Sequence, residues 1–250
     1  MKNIKKLIRL NKYIAYSGIC SRRKADKLIK IGLISVNGKI IKQLGYKVNY
    51  DDNIKYVNSN LKFKNKIYIL FNKPKNCITT VKDNKNRKII MDFIPNIYKK
   101  LGIFPIGRLD KNTTGLLLLT NDGKLSQYLT HPKYKIKRKY KIYLNKNLNK
   151  KDLLILKNGI KLKEGKIKIN NIKIFNNNKK SLIITITVGW NKIIHRIFNK
   201  IGYKILYLNR IYFAGLKINN NIKLGQYKIL SKDIINNIKN INNIHYNEDC

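Results

Sequence analysis

Acidic residues are scarce in this chain. Only 12 Asp and Glu stand against 55 Lys and Arg over 250 residues, a formal charge of +43. A field of that sign draws in polyanions. Nucleic acid is the first partner to consider and an anionic membrane surface the second. The membrane reading lacks its own signature, an amphipathic helix with an aromatic-rich apolar face. Lys, Asn and Ile are all encoded by AT-rich codons, so part of the lysine excess reflects coding drift. Position therefore counts for more than number, and Arg for more than Lys. Cysteine is also sparse. Cys20, Cys77 and Cys250 are odd in number and far apart, which excludes a disulfide framework and a CxxC metal pair. A reducing cytoplasm is the expected setting. The three histidines, His131, His195 and His245, have no ligand spacing and give no basis for a zinc site. No apolar run approaches the ~20 residues of a membrane helix. The N-terminus has lysines but no h-region, so no signal peptide is read there. There is no internal repeat.

What is present suffices for a core, since 43% of residues are hydrophobic. The length suits two modest domains or one large one. Residues 1–8 read as a basic, frayed start. Asn11 can cap a short helix to Tyr16, with Gly18 at its end. Ser21 can cap a second helix, Arg22 to Ile31. Its Ala25, Leu28 and Ile29 share one face, and Arg23, Lys27 and Lys30 form a basic stripe on another. Ile34 to Ile41, turning at Asn37-Gly38, reads as a tight hairpin. Arg22, Arg23, Lys27 and Lys30 are the candidate RNA-backbone contacts; the alternative is a solvated helix face. Residues 51–65 are polar and broken, and a domain boundary is expected near 60–66.

The second part is organised around Gly107 to Gly123, GRLDKNTTGLLLLTNDG. Arg108 and Asp110 lie two residues apart, so in an extended segment they leave from one face. Leu116 to Leu119 reads as a buried strand, closed by the turn Thr120-Asn121-Asp122-Gly123. On residue types alone the pair is either a salt bridge at a strand end or a charged site held by an apolar shelf. Ile67 to Phe71 reads as a strand, and Ile89 to Ile94 as a short element. Lys124 to Thr130 reads as a helix. Lys135 to Leu144 reads as a strand with Ile136, Tyr140, Ile142 and Leu144 on one side and lysines on the other. A helix Lys151–Gly159 and strands Gly165–Phe175 and Ser181–Val188 follow. Gly189-Trp190-Asn191 turns into a helix striped by Ile193, Ile194, Ile197, Phe198 and Ile201, and His195 and Arg196 sit in its middle. Strands Lys204–Phe213 and Tyr227–Leu230 come last, and the Asn- and Ile-rich tail beyond Ser231 reads as loosely held.

Gly107-Arg108-Leu109-Asp110, Thr113, Gly115 and the leucine run into Thr120-Asn121-Asp122-Gly123 resemble the signature of ribosomal RNA pseudouridine synthases. Leu70-Phe71-Asn72-Lys73-Pro74 with Thr79-Thr80, the strand around Tyr140, and Gly189-Trp190-Asn191-Lys192 are further matches. Leu10 to Gly38, with Ser21-Arg22-Arg23 and Val36-Asn37-Gly38, resembles an S4 domain. The resemblance spans roughly residues 9–230. It implies an α+β chain: an S4-like RNA-binding domain (9–60), a linker (61–66), a catalytic domain with a mixed, mostly antiparallel sheet (67–231) and an Asn-rich tail (232–250). It implies conversion of a uridine in rRNA to pseudouridine, without metal or cofactor, by a monomer acting on rRNA or a pre-ribosomal particle. Asp110 would act on the ribose as nucleophile or base, Arg108 would occupy the gap left by a flipped base, and Tyr140 would lie against the uracil. The SRR helix start and the LLLLTNDG run are similar to large-subunit (23S) members more than to small-subunit (16S) ones. The family places Arg or Lys six residues after the Gly of its third motif, to pair with the aspartate. Here that position is His195, followed by Arg196, and Val188 and Trp190 replace the usual flanking residues. A protonated His195 is the expected partner, its pKa raised by the carboxylate; Arg196 is the rival. An RNA-binding or ribosome-assembly factor that keeps the fold without the chemistry is the competing function.

Overall fold

A computed structural model describes residues 7–218, 221–242 and 244. Residues 1–6, 219–220, 243 and 245–250 lie outside that description, and with them most of the basic start, the end of the tail, His245 and Cys250. Two compact units divide the described residues: 7–67 with Pro95–Ile103, and Tyr68–Ile94 with Phe104 onward. Nothing in the local sequence signals that Pro95–Ile103 belongs with the first unit. Within that unit the Lys64 ammonium donates to the Lys100 carbonyl at 2.7 Å.

In the first unit a short strand, Ile8–Arg9, paired antiparallel with Lys47–Val48, precedes helices α1 (Leu10–Tyr16) and α2 (Arg22–Lys30). Ser21 caps α2, its hydroxyl accepting from the Lys24 N–H at 3.3 Å, which fixes the helix start as the sequence suggests. A four-stranded sheet follows: β1 (Ile34–Val36), β2 (Lys39–Ile40), β3 (Ile54–Tyr56) and β4 (Ser59–Asn60), in the order β2-β1-β3-β4. Asn37 and Gly38 both have positive φ, 50° and 83°, as a primed hairpin turn requires. Leu10, Ile14, Ala25, Ile29, Ile34 and Ile54 form the buried centre.

The second unit is built on one sheet. Its strands are β5 (Tyr68–Lys73), β6 (Thr114–Thr120), β7 (Arg138–Leu144), β8 (Asn171–Phe175), β9 (Asn178–Ile186), β10 (Ile205–Phe213) and β11 (Tyr227–Ile229). Their order is β8-β9-β7-β10-β6-β5-β11, with the short strands Leu216–Lys217 and Phe104–Pro105 beside β10 and β6. Every pairing is antiparallel except β10 with β6, so the sheet is mixed and mostly antiparallel. Helices α3 (Gly123–Thr130), α4 (Lys150–Asn158), α5 (Ile193–Lys200) and α6 (Lys232–Ile241) complete the unit. All of β5 and β6 is buried, and β7 alternates buried with half-buried or exposed residues, as its period of two predicts.

Two readings need correction. The Gly165–Phe175 segment is not one strand; Gly165–Ile167 pairs back on Ile160–Leu162, and β8 begins only at Asn171. The residues after Ser231 are not a loose tail through 241. They form α6, capped by the Ser231 hydroxyl, with Ile235 and Ile238 in the main core cluster beside Leu70, Leu116 and Phe213. Asn is a poor helix former, but Ile235 and Ile238 stand three apart and bury one face, and tertiary burial overrides propensity.

Candidate active site

The site grows out of the loop between Phe104–Pro105 and β6. Leu109 is buried and held from both sides by one hydroxyl: its N–H donates to Thr79 Oγ1 at 3.2 Å, and that hydroxyl donates back to the Leu109 carbonyl at 2.7 Å. With Leu109 fixed inward, its neighbours Arg108 and Asp110 are presented together. Both line a cavity of about 260 Å3 that also takes in Tyr140, Arg138, Arg210 and His195.

Beneath the loop lies Lys73 at the end of β5, with 0% exposure. Its ammonium donates to the carbonyls of Pro74 (3.0 Å), Lys111 (3.1 Å) and Thr113 (3.0 Å). Three N–H groups meet three acceptors, and two of these belong to the turn that carries Asp110. Burial pulls the Lys73 pKa down to about 8, against the upward pull of Cys77 and Asp110. It is still charged at neutral pH.

The carboxylates of the central stretch have separate tasks. Asp122, 2% exposed, caps α3 by accepting from the Lys124 and Leu125 N–H groups at 2.9 and 3.0 Å, and it accepts from the Tyr68 hydroxyl at 2.9 Å. Asp110 is half-buried, and among the described residues no hydrogen bond or ion pair ties its carboxylate. The strand-end salt bridge with Arg108 does not form. Arg108 is exposed at the cavity rim.

Tyr140 is buried on β7, as its alternation predicts, and sits opposite Ile184 on β9 and Arg210 on β10. Arg210 and Arg138 are cavity residues the sequence reading missed. Arg210 is 2% exposed; its Nε donates to the Leu116 carbonyl at 2.7 Å, while its Nη2 has no partner among the described residues. Arg138 donates to the carbonyls of Ile136, Thr187 and Leu129. Both guanidinium groups lie over the Phe213 ring, at 4.6 and 5.4 Å. The available signal was Arg itself: only eight occur in this lysine-rich chain, and two of them fall inside apolar strands.

The third motif resolves into two outcomes. His195 on α5 lines the cavity, and Asp110 acts on it electrostatically. Arg196, the next residue, does not line it. Its guanidinium forks onto Glu164, with one bond of 2.7 Å, and also donates to the Asn191 carbonyl. The expected upward shift of His195 does not appear. Burial, the largest influence, lowers its pKa, Asp110 pulls it up by less, and Lys192 lowers it further. The ring is therefore neutral at pH 7. The folded chain resists a proton that the unfolded chain accepts near pH 6.5, so stability is full above that value and falls as pH drops below it. Melting temperature should therefore decline from pH 7.5 to 5.5, and His195→Gln should flatten that decline. An unchanged slope in the variant would show that His195 is not the group responsible.

The basic stripe is where the sequence places it. Arg22, Arg23, Lys27 and Lys30 are all exposed on α2, opposite buried Ala25, Leu28 and Ile29. Among the described residues no group of His, Cys, Asp and Glu could hold a metal ion, and no helix is long and apolar enough to cross a membrane.

Comparison with known proteins identifies the family of the chain. Residues 67–204 match the RNA pseudouridylate synthase family, and residues 8–54 match the S4 domain. Ribosomal large subunit pseudouridine synthase B of Bacillus subtilis (strain 168) is 42% identical over 215 residues, covering 84% of this chain and 87% of the relative. The protein of the same name from Buchnera aphidicola subsp. Acyrthosiphon pisum (strain APS) is 35% identical, covering 93% and 96%. A crystal structure of a pseudouridylate synthase aligns with a TM-score of 0.65 at 27% identity, covering 92% of this chain and 99% of that one. With its pseudouridylate synthase region preceded by an S4 domain, the chain belongs to the RNA pseudouridine synthase family.

Proposed function

We propose that this enzyme isomerises a uridine of large-subunit ribosomal RNA to pseudouridine, with Asp110 acting on the ribose. One observation carries the reading: an untied carboxylate, Asp110, shares a single cavity with a buried tyrosine and two buried guanidinium groups. The target nucleotide leaves its stack to enter such a pocket, and the exposed Arg108 at the rim fills the gap behind it. The N1–C1′ bond breaks, the uracil turns, and C5 bonds to C1′ as the C5 proton leaves and N1 gains one. Asp110 serves either as nucleophile at C1′ or as base at C2′; both routes need it ionised. Tyr140 lies against the uracil ring. Neutral His195 borders the carboxylate without neutralising it, which leaves the oxygens available for attack. No metal or cofactor is required, because the reaction is internally balanced in atoms and electrons.

Pseudouridine mapping of rRNA from cells with and without this chain tests the reading. The expected result is at least one large-subunit site that depends on the chain. Dependence confined to small-subunit rRNA would reassign the target, and no dependent site at all would leave the assembly-factor function. The α2 stripe contributes phosphate contacts. Replacing Arg23, Lys27 and Lys30 together with Gln should weaken rRNA binding and lower the salt slope by roughly three. Turnover at saturating RNA should stay unchanged.

A further inference from the structure

The catalytic cavity uses one face of the sheet; the other face of its outer half carries a different pattern. Residues next to Tyr140 and Ile142 on β7, namely Lys139, Lys141 and Tyr143, point the opposite way. Cross-strand partners share a face. Lys139 stands opposite Tyr212, Lys141 opposite Ile183, which in turn faces Lys173, and Tyr143 opposite Tyr207. These side chains are half-buried or exposed. Two shallow grooves run over them. One of about 500 Å3 lies along Lys141, Tyr143, Phe175 and Tyr207, and one of about 440 Å3 along Lys139, Lys173, Tyr212 and Lys217. Lysines already rest on the rings: Lys141 on Phe175 at 3.9 Å, Lys139 on Tyr212 at 4.8 Å and Lys75 on Tyr207 at 5.4 Å. No acidic residue lines either groove, and none occurs in the sequence between Glu164 and Asp233.

We infer that this face is a second RNA-binding surface, taking unpaired nucleotides by stacking bases on the rings while the displaced lysines move to the phosphates. Three observations select this occupant. Charge is of one sign, which suits a polyanion. The rings are spread over three strands of a four-stranded platform rather than gathered into an apolar patch, which suits separate bases better than a protein's hydrophobic core residues. A lysine over a ring is a cation–π pair that a base can replace without leaving the ammonium unpaired, since a phosphate follows each base. An RNA that fills both the cavity and this face must pass around the rim of the sheet, so the face selects RNA longer than the modified site alone. The inference needs RNA binding only and does not depend on isomerisation.

The test uses the full chain and a large-subunit rRNA transcript. Changing Lys139, Lys141 and Lys173 together to Gln is expected to weaken binding about tenfold or more and to lower the salt slope by two to three. Tyr143→Ser with Phe175→Ser is expected to weaken it about tenfold while leaving the salt slope in place. A wild-type measurement guards against misfolded variants: a 12-nucleotide single-stranded RNA bearing 4-thiouridine should crosslink to Tyr143, Phe175 or Tyr212, and duplex RNA should compete poorly. Unchanged affinities with crosslinks confined elsewhere would overturn the inference. So would unchanged binding of naked transcript with weakened binding of protein-containing ribosomal particles, which would assign the face to a protein partner.

Discussion

Asp110→Asn should abolish pseudouridine formation, by on the order of 10^4-fold or more, while the protein folds normally and still binds RNA. Asn keeps the shape and removes the charge and basicity on which both routes depend. The fold should tolerate the change within about 0.5 kcal/mol, because the carboxylate makes no hydrogen bond or ion pair among the described residues and the turn around it is held by Lys73 and Thr79 through backbone groups. RNA affinity should hold or rise, since the substitution removes a negative charge that repels phosphate in a strongly basic protein. Measuring tritium release from C5-tritiated uridine in rRNA transcripts, alongside binding and melting curves, separates the three quantities. Appreciable isomerisation by the Asn variant would refute a chemical role for Asp110. Asp122→Asn offers the contrast. That carboxylate caps α3 and accepts from Tyr68, so its loss should appear in the melting curve.

Why the sequence revealed so much of this site, and not all of it, has a physical reason. Local features announced themselves. Ser21 caps α2 by reaching three residues ahead, Asn37-Gly38 turns because both residues accept positive φ, and the alternation through β7 buries Tyr140. The Arg108–Asp110 segment was legible as part of a long signature. What remained hidden depends on partners distant in the chain. Arg196 stands as the rival to His195 for Asp110 until Glu164, 32 residues away, claims its guanidinium. Desolvation of His195 follows from packing, and a sequence gives no measure of it, so the direction of its pKa was misread. Arg210 reads as a polar interruption of a strand until the register places it opposite Tyr140. The α6 helix disappears behind its asparagines because its apolar stripe has meaning only once β5 and β6 are there to cover it.

The second large effect concerns Gly115, which joins the halves of the active site. In the strand order β8-β9-β7-β10-β6-β5-β11, the pairing of β10 with β6 is the seam between two groups of strands, and it is the one parallel pairing, recorded at Thr114 opposite Asn209 and Gly115 opposite Arg210. Asp110 is carried into β6 on one side of the seam. Tyr140, on β7, and Arg210 stand on the other. Gly115 has φ of +104°, and a Cβ there would lie 2.1 Å from Asn209 Oδ1, 2.4 Å from the Arg210 carbonyl oxygen and 2.8 Å from the Arg210 nitrogen. The side-chain contact could swing away, but the two backbone contacts cannot without parting the strands. Gly115→Ala thus combines a disfavoured φ with overpacking at a buried seam. We expect a loss of about 3–5 kcal/mol and a fall in melting temperature of roughly ten degrees. Activity should fall further than the folded fraction does, because a seam opened even slightly displaces Asp110 from Tyr140. Adding Asn209→Gly removes the Oδ1 contact and leaves the backbone ones, so it should restore little. Full recovery in the double variant would locate the clash in the Asn209 side chain and overturn the backbone argument.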